Sequence, residues 1–169
     1  MALTLHPELL EALTIHAGVE IGNAVFYLSA YSWARANGWE GFSKRWKNDA
    51  FDEFAHAQNF VKFIARYNVA INAEPKIRPM PEPELGQTLL GLAALAAALE
   101  GMTEESMRDL LRVAEGVGDG AAVEWISGKL LDQQKERKKA DDFAARVQDA
   151  AVEPGCLVIL DRKLERGGW

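Results

Sequence analysis

Along most of the chain the apolar positions recur at alternating steps of three and four, the spacing of one face of an α-helix. Alternating strand-like runs are scarce, and Ala, Leu, Glu, Lys and Gln dominate. The breakers fall in clusters: Pro7, Asn37-Gly38, the four prolines Pro75, Pro79, Pro81 and Pro83, the glycines Gly116, Gly118 and Gly120, and Pro154-Gly155. Between them the pattern predicts five helices, at about 8–36, 41–68, 84–114, 120–149 and 156–165. Pro7 fits a first helical turn, where its missing N–H is no loss. The first, third and fourth breaks are short and favour antiparallel neighbours. The second, at about 68–83, is long and proline-rich. It can carry the chain back along the bundle, so that helices two and three run parallel. The expectation is an all-α four-helix bundle with one long crossover and a short fifth C-terminal helix, in one domain spanning 1–169.

The helix faces carry the informative exceptions. Helix two presents Phe42, Trp46, Asp49, Glu53, His56, Phe60, Phe63 and Tyr67 on one side. The stripe is aromatic at both ends and ionisable in the middle. Helix one presents Leu13, Ala17, Glu20, Ala24, Tyr27 and Tyr31, and helix three Leu89, Ala93, Ala96, Glu100, Thr103, Met107 and Leu110. In each, one carboxylate interrupts a small-residue core face. Helix four presents Val123, Ile126, Leu130, Gln133 or Gln134, and Arg137.

A charge in a core stripe is expensive unless it is paired or neutralised. Each interruption falls near the middle of its helix, and antiparallel packing brings the middles to one level. Glu20, Glu53, His56, Glu100 and a glutamine then surround one cavity. Glu53 and His56 stand three apart, the Glu-x-x-His spacing of carboxylate-bridged dimetal sites. This hard O/N donor set suits Fe, Mn or Zn, and two cations would cancel most of the buried negative charge. Asp49 is equally a supporting residue of the site and a salt-bridge partner. His6 and His16 are read as surface or cap residues, and Tyr27 alone reads as core packing.

Composition narrows the classes further. Nineteen basic against twenty-five acidic residues leave a formal net charge of −6, which disfavours a nucleic-acid partner. One cysteine, Cys156, excludes an internal disulfide framework and a multi-cysteine metal site. The first residues lack the basic start and apolar run of a secretory signal. The longest apolar stretch, 89–99, has eleven residues, too few to span a bilayer. The expectation is a cytoplasmic protein without a membrane partner.

With these residues in place the chain resembles the non-haem ferritins over almost its whole length. The resemblance rests on the run Glu20-Ile21-Gly22-Asn23-Ala24-Val25-Phe26-Tyr27-Leu28-Ser29, on Asn37-Gly38-Trp39-Glu40-Gly41-Phe42, on Glu53-Phe54-Ala55-His56-Ala57, and on Glu100 and Gln134. The gaps of 33, 47 and 34 residues between Glu20, Glu53, Glu100 and Gln134 suit that bundle. The segment from Leu157 to Leu164 resembles the family's fifth helix. The resemblance implies a homo-oligomeric shell of 24 subunits with ferroxidase activity, which oxidises Fe(II) with O2 or H2O2 and stores the Fe(III) mineral. It implies a diiron site in which Glu20 and His56 hold the first iron, Glu53 bridges, and Glu100 holds the second with Gln134 beside it. Tyr27 is then a hydrogen-bond donor near the centre.

Several departures qualify the resemblance. Phe54 occupies the place of the haem-ligating methionine of bacterioferritins, so no haem is expected. Gln134 is followed three later by Arg137, where bacterioferritins repeat the Glu-x-x-His. Arg137 on the inner stripe, paired with Asp49 or Glu53, is expected to exclude a third iron, to which Asp52 and Glu136 would otherwise contribute. Ala55 and Gln58 thin the inner-surface acids. Two alternatives remain open: a ferritin-like diiron peroxidase or oxidase, and a shell whose centre is degenerate.

Overall fold

The protein is described by a computed structural model over residues 4–76, 88–153 and 155–167. Five helices follow one another: α1 (Pro7–Ala36), α2 (Glu40–Ala65), α3 (Leu89–Gly116), α4 (Gly120–Ala151) and α5 (Cys156–Glu165), with no strand among the described residues. Pro7 occupies the first turn of α1. Helix α2 stops at Ala65, three residues short of the expected end, and Asn68 turns the chain with a left-handed φ of 57°. Helix α3 begins after Thr88, whose side chain accepts the Gly91 N–H at 3.0 Å. Asp119 caps α4 in the same way through Ala122 N–H, at 3.0 Å. The expected start of helix three at 84 lies outside the described residues, as do Pro79, Pro81, Pro83 and Pro154.

The core is divided, and the division gives the helix directions. One cluster joins Phe26, Ala30, Phe42, Trp46, Leu92, Ala93, Phe143 and Val147. The other joins Leu9, Leu13, Phe60, Phe63, Met107, Leu110, Ala122 and Ile126. Helices α1 and α4 run from the second cluster to the first. Helices α2 and α3 both run from the first to the second, and so are parallel. Glu20, Asn23, Glu53, Glu100, Thr103 and Gln133 are buried between the clusters, and the three carboxylates are the ones that interrupt apolar stripes.

The crossover is tied to α1. Lys76 N–H donates to the Gly18 carbonyl at 2.9 Å. A Cβ on Gly18 would stand 2.2 Å from the Glu74 carbonyl oxygen, so only glycine lets the chain pass there. Helix α1 carries an 18-residue window of mean hydropathy 1.2, long and apolar enough to cross a membrane by length and composition. That window is 56% buried inside the bundle, so core packing accounts for its character.

Helix α5 closes the start of α2. Asp161 Oδ1 accepts the Phe42 N–H at 2.9 Å, a cap supplied from 119 positions away. Gly41 leaves room for it, since a Cβ there would lie 1.9 Å from the Asp161 carbonyl oxygen. Cys156 is half-buried at the start of α5.

Candidate metal centre

The carboxylates of Glu20 and Glu53 and the imidazole of His56 offer ligand atoms within 4.8 Å of one another. His56 Nδ1 lies 4.0 Å from Glu20 Oε2 and 3.9 Å from Glu53 Oε1. Glu20 and Glu53 are 1% and 5% exposed, so water does little to solvate their charge. Glu20 Oε2 is buried and makes no hydrogen bond. A buried anionic oxygen without a donor is a costly state, and a cation is the partner that relieves it. The residues present therefore fit a metal ion.

The electrostatics point the same way. Burial, followed by the negative charges of Glu20 and Glu100, holds the Glu53 carboxyl well above the usual range. Burial also pushes Glu20 up, but the hydrogen bond from His16 leads a set of opposing contacts that includes Glu53 and His56, and its pKa falls below the ordinary value. The two carboxyls are thus pushed in opposite directions, and a cation between them would favour the charged form of both. His56 is raised, chiefly by its contact with Glu136, whose Oε1 lies 3.4 Å from His56 Nε2. With Nδ1 toward the carboxylates, Nε2–H faces Glu136, the arrangement that orients a metal-binding imidazole.

Glu100 is placed differently. Its Oε1 accepts from Tyr27 OH at 2.6 Å and its Oε2 from Gln133 Nε2 at 2.7 Å. Burial nevertheless pushes its pKa up to about 7, with those two bonds opposing. Asn23 bridges the helices from α1, donating Nδ2–H to Glu53 Oε2 at 3.3 Å and to Thr103 Oγ1 at 2.8 Å. Asp49 is pushed up to about 6, first by burial. It lies 3.6 Å from Arg45 Nε and lines a small cavity of about 100 Å3 with Tyr27, Glu53, His56, Glu100 and Glu136. It thus meets both expectations at once. A larger cleft of about 360 Å3 reaches Glu20 and His56 between α2 and α4.

Glu20, Tyr27, Glu53, His56 and Glu100 are thus brought together as expected, and helix four is corrected by one residue. The glutamine on Glu100 is Gln133; Gln134 is half-buried and does not line either cavity. The same rotation puts Glu136, not Arg137, on the inner face. Arg137 is exposed and donates Nη1–H to Glu104 Oε2 at 2.9 Å, away from Asp49 and Glu53. Reading backward from buried Val147, Phe143 and Ala140 in steps of four and three leads to Glu136 and Gln133. His16 is corrected too: it is 1% exposed and contacts Glu20 and Ser106. His6 stands before the first turn of α1, with no side-chain cap bond.

A family model, the ferritin-like domain, matches residues 10–150. The chain is 25% identical to chloroplastic ferritin-1 of Brassica napus over 143 residues, covering 81% of this chain and 56% of that protein. It is 25% identical to chloroplastic ferritin-2 of Zea mays over 113 residues, 64% of this chain and 44% of the relative. The chain spans about half the length of these curated relatives. Among solved structures, apo-ferritin from Pseudo-nitzschia multiseries matches with a TM-score of 0.81 at 26% identity, over 92% of this chain and 98% of that one. A ferritin of Archaeoglobus fulgidus shares the fold with a TM-score of 0.88 at 21% identity, over 96% and 98% of the two chains. By its matched family model and its bundle, this chain belongs to the ferritin family.

Proposed function

We propose that this protein stores iron: it oxidises Fe(II) at a two-iron centre within each subunit and passes Fe(III) to a mineral inside a shell of like subunits. The observation that carries the reading is the convergence of Glu20, Glu53 and His56 around a buried Glu20 oxygen that has no hydrogen-bond partner. Iron is the substrate. Glu20 and His56 receive the first Fe(II), Glu53 lies where it can bridge, and Glu100 receives the second. Gln133 takes the place expected of Gln134. Each Fe(II) gives one electron; O2 takes two electrons and two protons and leaves as H2O2. Carboxylate donors favour the trivalent product, which drives the oxidation. A metal ligand must be deprotonated, so Glu53 and His56, both raised, would take up iron more readily as pH rises.

Assembly follows from what the single chain leaves uncovered. On α5, Val158 and Ile159 are 43% and 68% exposed, and on α4 Leu131 is 61% exposed. Apolar surface of this kind is suited to burial against further copies. A shell of 24 copies of the 18.7 kDa chain is the expected particle. Arg137, one of the two features that favour a degenerate centre, faces Glu104 instead; the thin inner acids at Ala55 and Gln58 are the other.

The test is anaerobic loading with Fe(II) followed by O2, with optical detection of Fe(III) and measured Fe:O2 stoichiometry. The expected result is rapid oxidation of two Fe(II) per subunit, lost in His56→Ala while the helical content is kept. An undiminished initial rate in His56→Ala refutes the assignment.

A further inference from the structure

His16 and Glu20 stand one turn apart on α1 and share its buried face. His16 Nε2 lies 3.0 Å from Glu20 Oε1, and Nδ1 lies 2.9 Å from Ser106 Oγ on α3. The ring packs on Phe60 with centroids 4.6 Å apart. A carboxylate can only accept, so Nε2 carries the hydrogen; Nδ1 is then free to accept from the Ser106 hydroxyl. Every polar atom of the imidazole is thereby committed, and the ring is wedged between α2 and α3.

We propose that His16 is a positioning residue that makes Glu20 a one-oxygen metal ligand, with Ser106 holding the ring by its other nitrogen. The inference rests on the iron-centre reading above. Oε1 of Glu20 is occupied by His16, whereas Oε2 is buried, lacks a hydrogen bond and lies 4.0 Å from His56 Nδ1. Left alone, a glutamate can rotate and chelate one ion through both oxygens. Held at Oε1, it presents a single oxygen, and the ion keeps one more position for water or oxidant. His16 touches no substrate in this arrangement. It acts through Glu20, as outer hydrogen-bond partners of metal ligands do.

Co(II) tests this without turnover, because its visible absorption reports both affinity and donor geometry. The variants are His16→Met, which fills similar space with no donor, His16→Gln, whose amide N–H is the same number of bonds from the backbone as His Nε2, and Ser106→Ala. His16→Met is expected to weaken Co(II) binding about 10–100-fold and to change the absorption envelope. His16→Gln is expected to restore both, and Ser106→Ala to show a smaller loss. The crystal structure of the Co(II)-loaded natural protein is expected to show one Glu20 oxygen on the metal and the other on His16. Unchanged affinity in His16→Met, or two Glu20 oxygens on Co(II) in the natural protein, overturns the proposal. The second measurement decides even where His16→Met does not fold. Failure of the iron-centre reading looks different: Co(II) binding to the natural protein is then insensitive to Glu53→Ala.

Discussion

In the half of the centre built by α1 and α2, Glu20 keeps an oxygen with no hydrogen bond, and Glu53 and His56 turn donor atoms toward it. In the half built by α3 and α4, Glu100 has both oxygens engaged, one by Tyr27 and one by Gln133. Both halves bury a carboxylate. One waits for a cation, and the other has been satisfied by neutral donors. The contrast teaches that burial alone does not define a metal ligand; what counts is the number of oxygens still lacking a partner. On the proposed two-iron reading, a first ion would meet the free Glu20 oxygen in the α1–α2 half, and a second would have to share or displace a hydrogen bond at Glu100.

The largest expected effect breaks both halves together. Glu53→Ala removes the carboxylate between them and is expected to lower the initial rate of Fe(II) oxidation by at least about 100-fold, beyond the loss typical of an outer partner. Thermal stability of the metal-free variant is expected to hold or rise, because an unneutralised buried carboxyl has been removed. Stopped-flow oxidation and a melting curve check the two parts.

The α3–α4 half is isolated by Glu100→Gln in chelator-treated protein. Glu100 has its folded pKa raised from 4.5 to about 7. A raised carboxyl pKa favours the fold below the unfolded value, and that contribution is lost as pH rises through the folded one. The natural protein is thus expected to lose stability relative to Glu100→Gln between pH 4.5 and 7, by roughly 3 kcal/mol. Denaturant titrations across that range measure it, and parallel curves would contradict it.

A smaller change sharpens the contrast. Tyr27→Phe removes the 2.6 Å bond to Glu100 Oε1. The expected result is a stability loss of about 1.5 kcal/mol, with tighter binding of the second Co(II) because one Glu100 oxygen has been released. Arg137→Ala is expected to do least. Its guanidinium faces Glu104 and solvent, so ion stoichiometry at the centre should match the natural protein in anaerobic titration.

The bundle is legible because proline and glycine punctuate the chain and because three helices have apolar stripes long enough to fix a register. Glu20, Glu53 and Glu100 stand out as charges in the middle of such stripes. Helix α4 resists the same reading. Its buried positions from Ile126 to Phe143 include Gln133 and Ala140, with two adjacent glutamines between those apolar anchors. One residue of rotation is about 100° of helix, enough to exchange Glu136 for Arg137. His16 and Asn23 are hidden for another reason. Helix α1 is buried over a face widened by Ala17, Gly18, Gly22 and Ala24, so polar residues beside the central stripe are also enclosed. Asp161 as a cap for α2 depends on a contact across 119 positions that no local pattern announces.

The division of the centre between two helical hairpins also bears on the order in which the molecule is made. Glu20, Glu53 and His56 all lie on α1 and α2, which are joined by a short turn at residues 37–39. Helices α3 and α4 form a second hairpin of the same kind, and such short-range pairings form quickly. Joining the hairpins requires closing the connection at 66–88, a slower event of higher loop entropy. The cation-seeking half is therefore encoded in the segment that leaves the ribosome first. Its carboxylates can meet before α3 and α4 dock, and iron bound at that stage would favour the folded first hairpin by mass action.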